Sequence, residues 1–281
     1  MEFEAAQQVE HRKKDLKPTP AAVYAQTVLL QHWDISAAKI VPIESYDDYN
    51  FFVESDANDS GEGKKYLLKF FNGVESTNDT LLEGYSSMLS HLRERCPDLQ
   101  FQVAYPCKDG PDVITVTDCP VFSGELGATV AVRLFSWIEG DTMSASGSTA
   151  ALLHKEGVAV GKMSLALRGF DHPGLRRVQF WDGQHFCTHI SPFSRLLEVD
   201  GLRQAVEGVL DTFEREVLPA ADTFSKSCIM GDCNDANIIV TEGSAGAPRE
   251  IRGFIDFGDA VYTWSVLELA NALVSACTRL I

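Results

Sequence analysis

The sequence predicts an α+β chain built as two lobes, an antiparallel-sheet lobe followed by a mainly helical one. Three observations carry this. Short apolar runs broken by polar turns dominate residues 38–138, apolar residues at helical spacing dominate 148–217, and two short strands with a last helix close the chain. The 281 residues suffice for one large core or two lobes. We divide them into a polar N-terminal tail, 1–19, an N-lobe, 20–140, and a C-lobe, 141–281.

A helical stretch at 21–33 opens the N-lobe. Runs at 38–43, 50–54 and 66–71 read as strands, the last two forming an antiparallel hairpin across the polar turn 55–64. A helix follows at 81–93, with Leu82, Tyr85, Leu89 and Leu92 on one face. Two further strands lie at 113–116 and 129–138. In the C-lobe, 148–167 is helical, and Leu202, Val206, Val209, Phe213 and Val217 mark the apolar face of a helix that Pro219 ends. Strands at 238–240 and 253–256 flank a Gly/Ser/Pro-rich turn, 241–248, and a final helix begins near Trp264.

Composition narrows the function. Against 40 Asp and Glu stand 24 Lys and Arg, a formal charge of −16. That excess argues against a protein that grips nucleic-acid phosphates. The basic cluster His11–Lys14 reads as a solvated part of the tail. Neither a leader nor an apolar run of ~20 residues is expected, so no membrane association is foreseen. The seven cysteines form no C-x-x-C pair, which leaves zinc and disulfides without support and suits a reducing, cytoplasmic setting. Cys233 reads as a small semi-buried filler.

The chemistry concentrates in three places. In Gly231–Asp232–Cys233–Asn234–Asp235–Ala236–Asn237, an Asp precedes an Asn by five residues and the loop runs into a strand. That is the spacing of a phosphotransferase loop, the Asp accepting a hydroxyl proton and the Asn reaching Mg2+. Asp256, at the end of an apolar strand before Phe257–Gly258, is the second. Magnesium takes hard oxygen ligands, so one carboxylate and one amide beside phosphates suffice, and the strand pair is expected to bring Asn237 and Asp256 together. Third, Lys69 on a strand precedes Glu83 on a helix; such a Lys holds triphosphate oxygens while the Glu fixes it. Each is weak alone: D-x-x-x-x-N arises by chance in about every second chain of this length. Taken alone, Lys69 reads more readily as an edge-strand gatekeeper and Glu83 as a solvated helix residue, and Asp256 can be a helix cap. Their order and placement together point to a kinase.

The set Lys69, Glu83, Asp232, Asn237 and Asp256 resembles that of the aminoglycoside phosphotransferase and choline kinase superfamily. The surrounding text, Ser45–Phe51, Val132–Leu134 through Ile138–Gly140, Gly231–Asn237, Ile255–Asp259 and Val266–Ala270, is similar to its hydroxylysine kinase branch. The resemblance implies a protein-kinase-like two-lobe fold. It also implies transfer of the γ-phosphoryl group of GTP, or ATP, to the 5-hydroxyl of 5-hydroxy-L-lysine with Mg2+. Residues 45–50, with Asn50, would cover the phosphates, and 135–139, with Trp137, would meet the base. Strand-face packing is an equal reading for Trp137. Asp235, Asp259 and Glu268 are acids that could hold a cationic acceptor, or cap helices and turns. Met230 stands where the family has a bracing His, so a less firmly held loop is expected. Relatives continue beyond Ile281, so an incomplete helical lobe with exposed apolar surface is expected. Choline, ethanolamine, homoserine or an aminoglycoside are alternative acceptors, and a non-catalytic nucleotide-binding protein is the rival of another class.

Overall fold

A computed structural model describes residues 2–57, 63–241 and 249–278. In chain order the elements are α1 (Glu2–Asp15), α2 (Ala22–Trp33), β1 (Ala37–Ile43), β2 (Tyr49–Ser55), β3 (Lys65–Phe70), α3 (Asp79–Arg95), β4 (Gln100–Phe101), β5 (Ala104–Tyr105), β6 (Ile114–Val116) and β7 (Val130–Ser136). They continue with β8 (Asp141–Thr142), α4 (Met143–Ser146), α5 (Ala150–Ala166), α6 (Phe186–Ser194), α7 (Asp200–Thr212), β9 (Lys226–Ile229), β10 (Ile238–Val240), β11 (Ile251–Phe254), β12 (Val261–Trp264) and α8 (Val266–Thr278). Two compact units result, one of Gln8–Ser90 with Phe101–Glu139, the other of Met1–Gln7, His91–Gln100 and Gly140–Ile281. The central parts of the turns expected at 55–64 and 241–248 lie outside the described residues.

The first unit is an antiparallel sheet in the order β1-β2-β3-β7-β5, with β6 also on β7. Period-two alternation sorts its side chains. Phe51 and Val53 of β2, Tyr66, Leu68 and Phe70 of β3, and Val132 and Leu134 of β7 pack with Ala25, Val28 and Leu29 of α2 in one buried cluster. Each large apolar side chain removed from water there contributes about 1.5–3 kcal/mol. The opposite face carries different chemistry: Asn50, Lys69 and Arg133 lie in register across β2, β3 and β7. Phe52, Leu67 and Phe135 form the next such row.

Residues 1–19 differ from the solvated tail the sequence suggested. They are helical from Glu2 to Asp15, and Lys13 is buried. Its ammonium pairs with Glu75 at 2.9 Å and with Asp47 and Glu10 at 3.5 Å. Burial alone would lower the Lys13 pKa, but the three carboxylates outweigh it and raise it. Four charges gathered from three segments are a long-range feature that no run of sequence displays.

The second unit is richer in helix. Thr149 opens α5 by accepting the Leu152 N–H at 3.2 Å, a side-chain N-cap. The apolar stripe foreseen from Leu202 to Val217 is only partly a core face: Leu202 and Val209 are exposed while Leu210 is buried. The helix itself ends at Thr212, before a wider turn over Phe213–Val217. Strands β8, β10 and β11 belong to a four-stranded sheet in the order β4-β11-β10-β8, in which Ile238 faces Phe254 and Ile239 faces Thr142. Strands β9 and β12 pair separately. Among the described residues no helix is long and apolar enough to cross a membrane.

Candidate active site

The loop Met230–Asn237 leaves β9 and enters β10. Its first turn needs glycine. Gly231 has φ +84, and a Cβ there would stand 2.3 Å from the Asp259 carbonyl oxygen. Met230 behind it is fully buried.

Helix α8 fixes the loop through its backbone. The Met230 N–H donates to Glu268 Oε2 at 2.5 Å, the Asn271 amide donates to the Gly231 carbonyl at 2.6 Å, and the Asp235 N–H donates to Ser275 Oγ at 3.0 Å. Positions 268, 271 and 275 share a helical face by their spacing of three and four. From the other side the Ser144 N–H donates to the Asp235 carbonyl at 3.0 Å. Three side chains of α8 thus hold this loop by its main-chain atoms, with the Met230 side chain buried.

Within this frame Asp232 is clasped by two amides. Asn234 Nδ2 reaches Oδ1 at 2.7 Å and Asn237 Nδ2 reaches Oδ2 at 2.9 Å. Burial raises the Asp232 pKa and the nearby Asp256 carboxylate adds to this, while the two asparagine hydrogen bonds oppose it. Asn234 was not among the residues singled out from sequence; its only signal was an Asn in a tight polar turn. Cys233 is buried, and burial pushes its thiol far above the ordinary range, consistent with an inert filler.

The strand pair brings the second carboxylate to the loop. The Ile255 N–H donates to the Asn237 carbonyl at 2.9 Å, continuing the β10–β11 ladder by one step. Asp256 then turns out of the strand at φ +59, a region non-glycine residues rarely occupy. Its side chain is exposed, and Oδ1 meets the Gly258 N–H at 3.4 Å. Because Asn237 donates through Nδ2, its amide carbonyl is oriented as a ligand oxygen. An amide oxygen beside Asp232 and Asp256, the second of which raises the proton affinity of the first, is a hard donor set that suits Mg2+. Among the described residues no group of three or more His, Cys, Asp or Glu could hold a metal, so phosphates and water would complete the coordination.

The candidate acids for an acceptor fare unequally. Glu268 is 0% exposed, with Oε2 on the loop backbone and Oε1 without a hydrogen-bond partner among the described residues; burial pushes its pKa up to about 7. Asp259 accepts from Gln179 Nε2 at 2.5 Å and lines a small pocket with Asp182, Trp181 and Asn271. Asp235 faces Glu156, whose pKa burial and Asp235 push up to about 7.

In the sheet unit, Lys69 is buried and pairs with Asp48 at 2.8 Å. Glu83, the partner expected from sequence, is exposed on α3; the residue that reaches the ammonium comes instead from the segment before β2. Asn50, directly across the ladder from Lys69, is buried, and its Oδ1 has no hydrogen-bond partner among the described residues. Trp137 is half-buried, with its ring edge-on to Phe52 at 4.8 Å.

An acid clasped in a braced loop, an amide and a second carboxylate at a strand end, and a buried lysine on a sheet are the residue types that phosphoryl transfer employs. The profile of the phosphotransferase enzyme family matches residues 39–280, and the chain belongs to that family. More particularly, it is similar to hydroxylysine kinases. It is 24% identical over 265 residues to that of Danio rerio, covering 93% of this chain and 71% of the relative. To that of Xenopus laevis it is 26% identical over 269 residues, covering 92% and 70%. Among solved structures, a microcompartment-associated aminopropanol kinase superposes with TM-score 0.65 at 18% identity, over 90% of this chain and 74% of that one. An amicoumacin kinase in complex with AMP-PNP and Ca2+ superposes with TM-score 0.64 at 14% identity, over 96% and 71%. At these identities the likeness is one of fold. The expected kinase-like α+β fold and phosphotransferase class both hold.

Proposed function

We propose that the chain transfers the γ-phosphoryl group of GTP or ATP to an alcohol, the 5-hydroxyl of 5-hydroxy-L-lysine. The observation that carries this is the Asp232 carboxylate, held by Asn234 and Asn237 in a loop that α8 braces. Asp232 orients the acceptor hydroxyl and takes its proton; position matters more than basicity, because the transition state is loose. Asn237 and Asp256 would hold Mg2+, which when bound neutralises charge on the transferred group. Lys69 steadies donor phosphates, and the unsatisfied Asn50 Oδ1 beside it is a buried polar atom that suits a ligand contact. The apolar row Phe52, Leu67 and Phe135, with Trp137, supports a base-stacking role for that end of the sheet face. Asp259, with Asp182 in its pocket, is the remaining acidic candidate for a cationic acceptor. The hydroxylysine kinase relatives favour this acceptor over choline, ethanolamine, homoserine and aminoglycosides.

A transfer assay tests the reading directly. Labelled GTP and ATP are offered with each of these five acceptors, and 5-hydroxylysine is expected to be phosphorylated fastest. Transfer to another acceptor alone would replace the substrate; Mg·nucleotide binding without transfer to any would replace the activity.

A further inference from the structure

Three lysines at the start of the chain converge on one short irregular segment. The Lys17 ammonium donates to the Ser45 carbonyl and, at 3.0 Å, to that of Tyr46. Lys14 lies 4.6 Å above the Tyr46 ring, a cation–π distance. Lys13 reaches Asp47 at 3.5 Å. The following residue, Asp48, pairs with Lys69 at 2.8 Å and accepts the Asn72 N–H at 2.7 Å. A continuous line of contacts thus leads from the first helix to the Lys69 ammonium.

The lysines are themselves held. The Gly73 N–H donates to the Leu16 carbonyl at 3.0 Å, the Phe122 N–H to that of Lys17 at 2.8 Å, and the Thr19 N–H to that of Pro120 at 2.8 Å. By contrast, residues 44–48 have no regular secondary structure. Such a segment pays conformational entropy when a ligand orders it, and contacts that order it beforehand leave more of the binding energy for affinity. Residues 13, 14 and 17 precede the stretch that the family profile matches, which begins at residue 39.

We propose that Lys13, Lys14 and Lys17 are positioning residues, a clamp that sets Ser45–Asp48, and through Asp48 the Lys69 ammonium, to receive the phosphates of a nucleoside triphosphate. The proposal rests on the reading of Lys69 as a phosphate contact. The clamp acts on donor affinity and leaves the phosphoryl-transfer step to the loop around Asp232.

The test uses full-length variants titrated calorimetrically with Mg·GTP and Mg·ATP, with thermal midpoints measured alongside. Lys17→Gln is expected to weaken binding of the preferred nucleotide about 10-fold with little change in midpoint. Lys17→Arg should restore most of the affinity. Lys14→Gln, at an exposed position, should weaken binding in the same direction, and it decides the matter if Lys17→Gln does not fold. Arg12→Gln, whose partner is Glu125 at 2.6 Å, should bind like the parent. Lys69→Ala supplies the separating arm. Should it lose binding while Lys17→Gln and Lys14→Gln keep the parent affinity, the clamp is wrong and the Lys69 assignment stands. Should Lys69→Ala bind as the parent does, the Lys69 assignment falls and the clamp with it.

Discussion

Glu268 Oε2 accepts the Met230 amide proton at 2.5 Å from a side chain with no solvent exposure. A buried carboxyl is costly unless hydrogen bonds satisfy it. It is kept here beside two further polar contacts from α8, those of Asn271 and Ser275. The loop that carries Asp232 is thereby tied to the helix through main-chain groups, which makes the identity of the side chain at 230 a matter of packing.

Replacing Asp232 separates chemistry from binding. Asp232→Asn keeps the size but removes the proton acceptor, and its single amide oxygen can accept from only one of Asn234 and Asn237. Turnover is expected to fall at least ~100-fold, the scale of a positioned acid–base group, with nucleotide affinity retained. Steady-state kinetics with a nucleotide titration measures both, and near-parental turnover would remove Asp232 from the mechanism.

Asn234 should matter to turnover through Asp232, to which its Nδ2 donates, while its Oδ1 accepts the Ala236 N–H at 2.8 Å within the turn. Asn234→Ala frees Oδ1 of that carboxylate and removes a bond that favours its charged form. We expect kcat to fall about 10-fold with the nucleotide KM unchanged. The acid limb of the pH–rate profile should move to higher pH, since the lost bond had been lowering the Asp232 pKa. A profile that stays in place would show that Asn234 serves the turn alone.

Asp256→Ala tests the metal assignment without a turnover assay. Nucleotide affinity measured with and without Mg2+ should lose its magnesium dependence. If Mg2+ strengthens binding as much as in the parent, Asp256 is no ligand.

Stability should depend on pH through Glu268. Burial lifts its folded pKa from 4.5 to about 7, so the folded chain keeps a proton over an interval in which the unfolded chain has lost it. Stability therefore falls as pH rises from about 4.5 to about 7 and levels off above, by at most about 3 kcal/mol for this group. Asp47 and Glu156, also pushed up to about 7 chiefly by burial, act in the same sense. Glu268→Gln keeps an acceptor for the Met230 N–H and should show a visibly smaller decline. Denaturant midpoints at pH 5 and pH 8 measure it; an unchanged decline would mean that Glu268 is ionised in the folded chain.

Much of the site was readable because its parts are close in sequence or joined by simple pairing. Asn237 and Asp256 lie at the ends of two strands whose antiparallel ladder brings them together, and the strands read from sequence at 238–240 and 253–256 suffice to foresee that ladder. Lys69 sits on a strand whose core face, Tyr66, Leu68 and Phe70, alternates as the pattern requires. Glu83 misled because a helix position says nothing about rotation toward a distant strand. Asp48 won the lysine through a segment 21 residues earlier, whose path Lys17 and Lys14 hold. Glu268 was sorted with the substrate acids because an acid near a motif looks alike whether it faces solvent or a backbone amide.

By itself the sequence determined the α+β order of elements, the loop that carries Asp232 and Asn237, and the class of chemistry, since periodicity, turn residues and short motif spacings are local properties of the chain. Only the tertiary structure decided which charge meets which: Lys69 with Asp48, Lys13 with Glu75, Glu268 with the Met230 amide. Those choices follow from burial and from the approach of segments far apart in sequence, where a charged group must find whatever partner the packing leaves within reach.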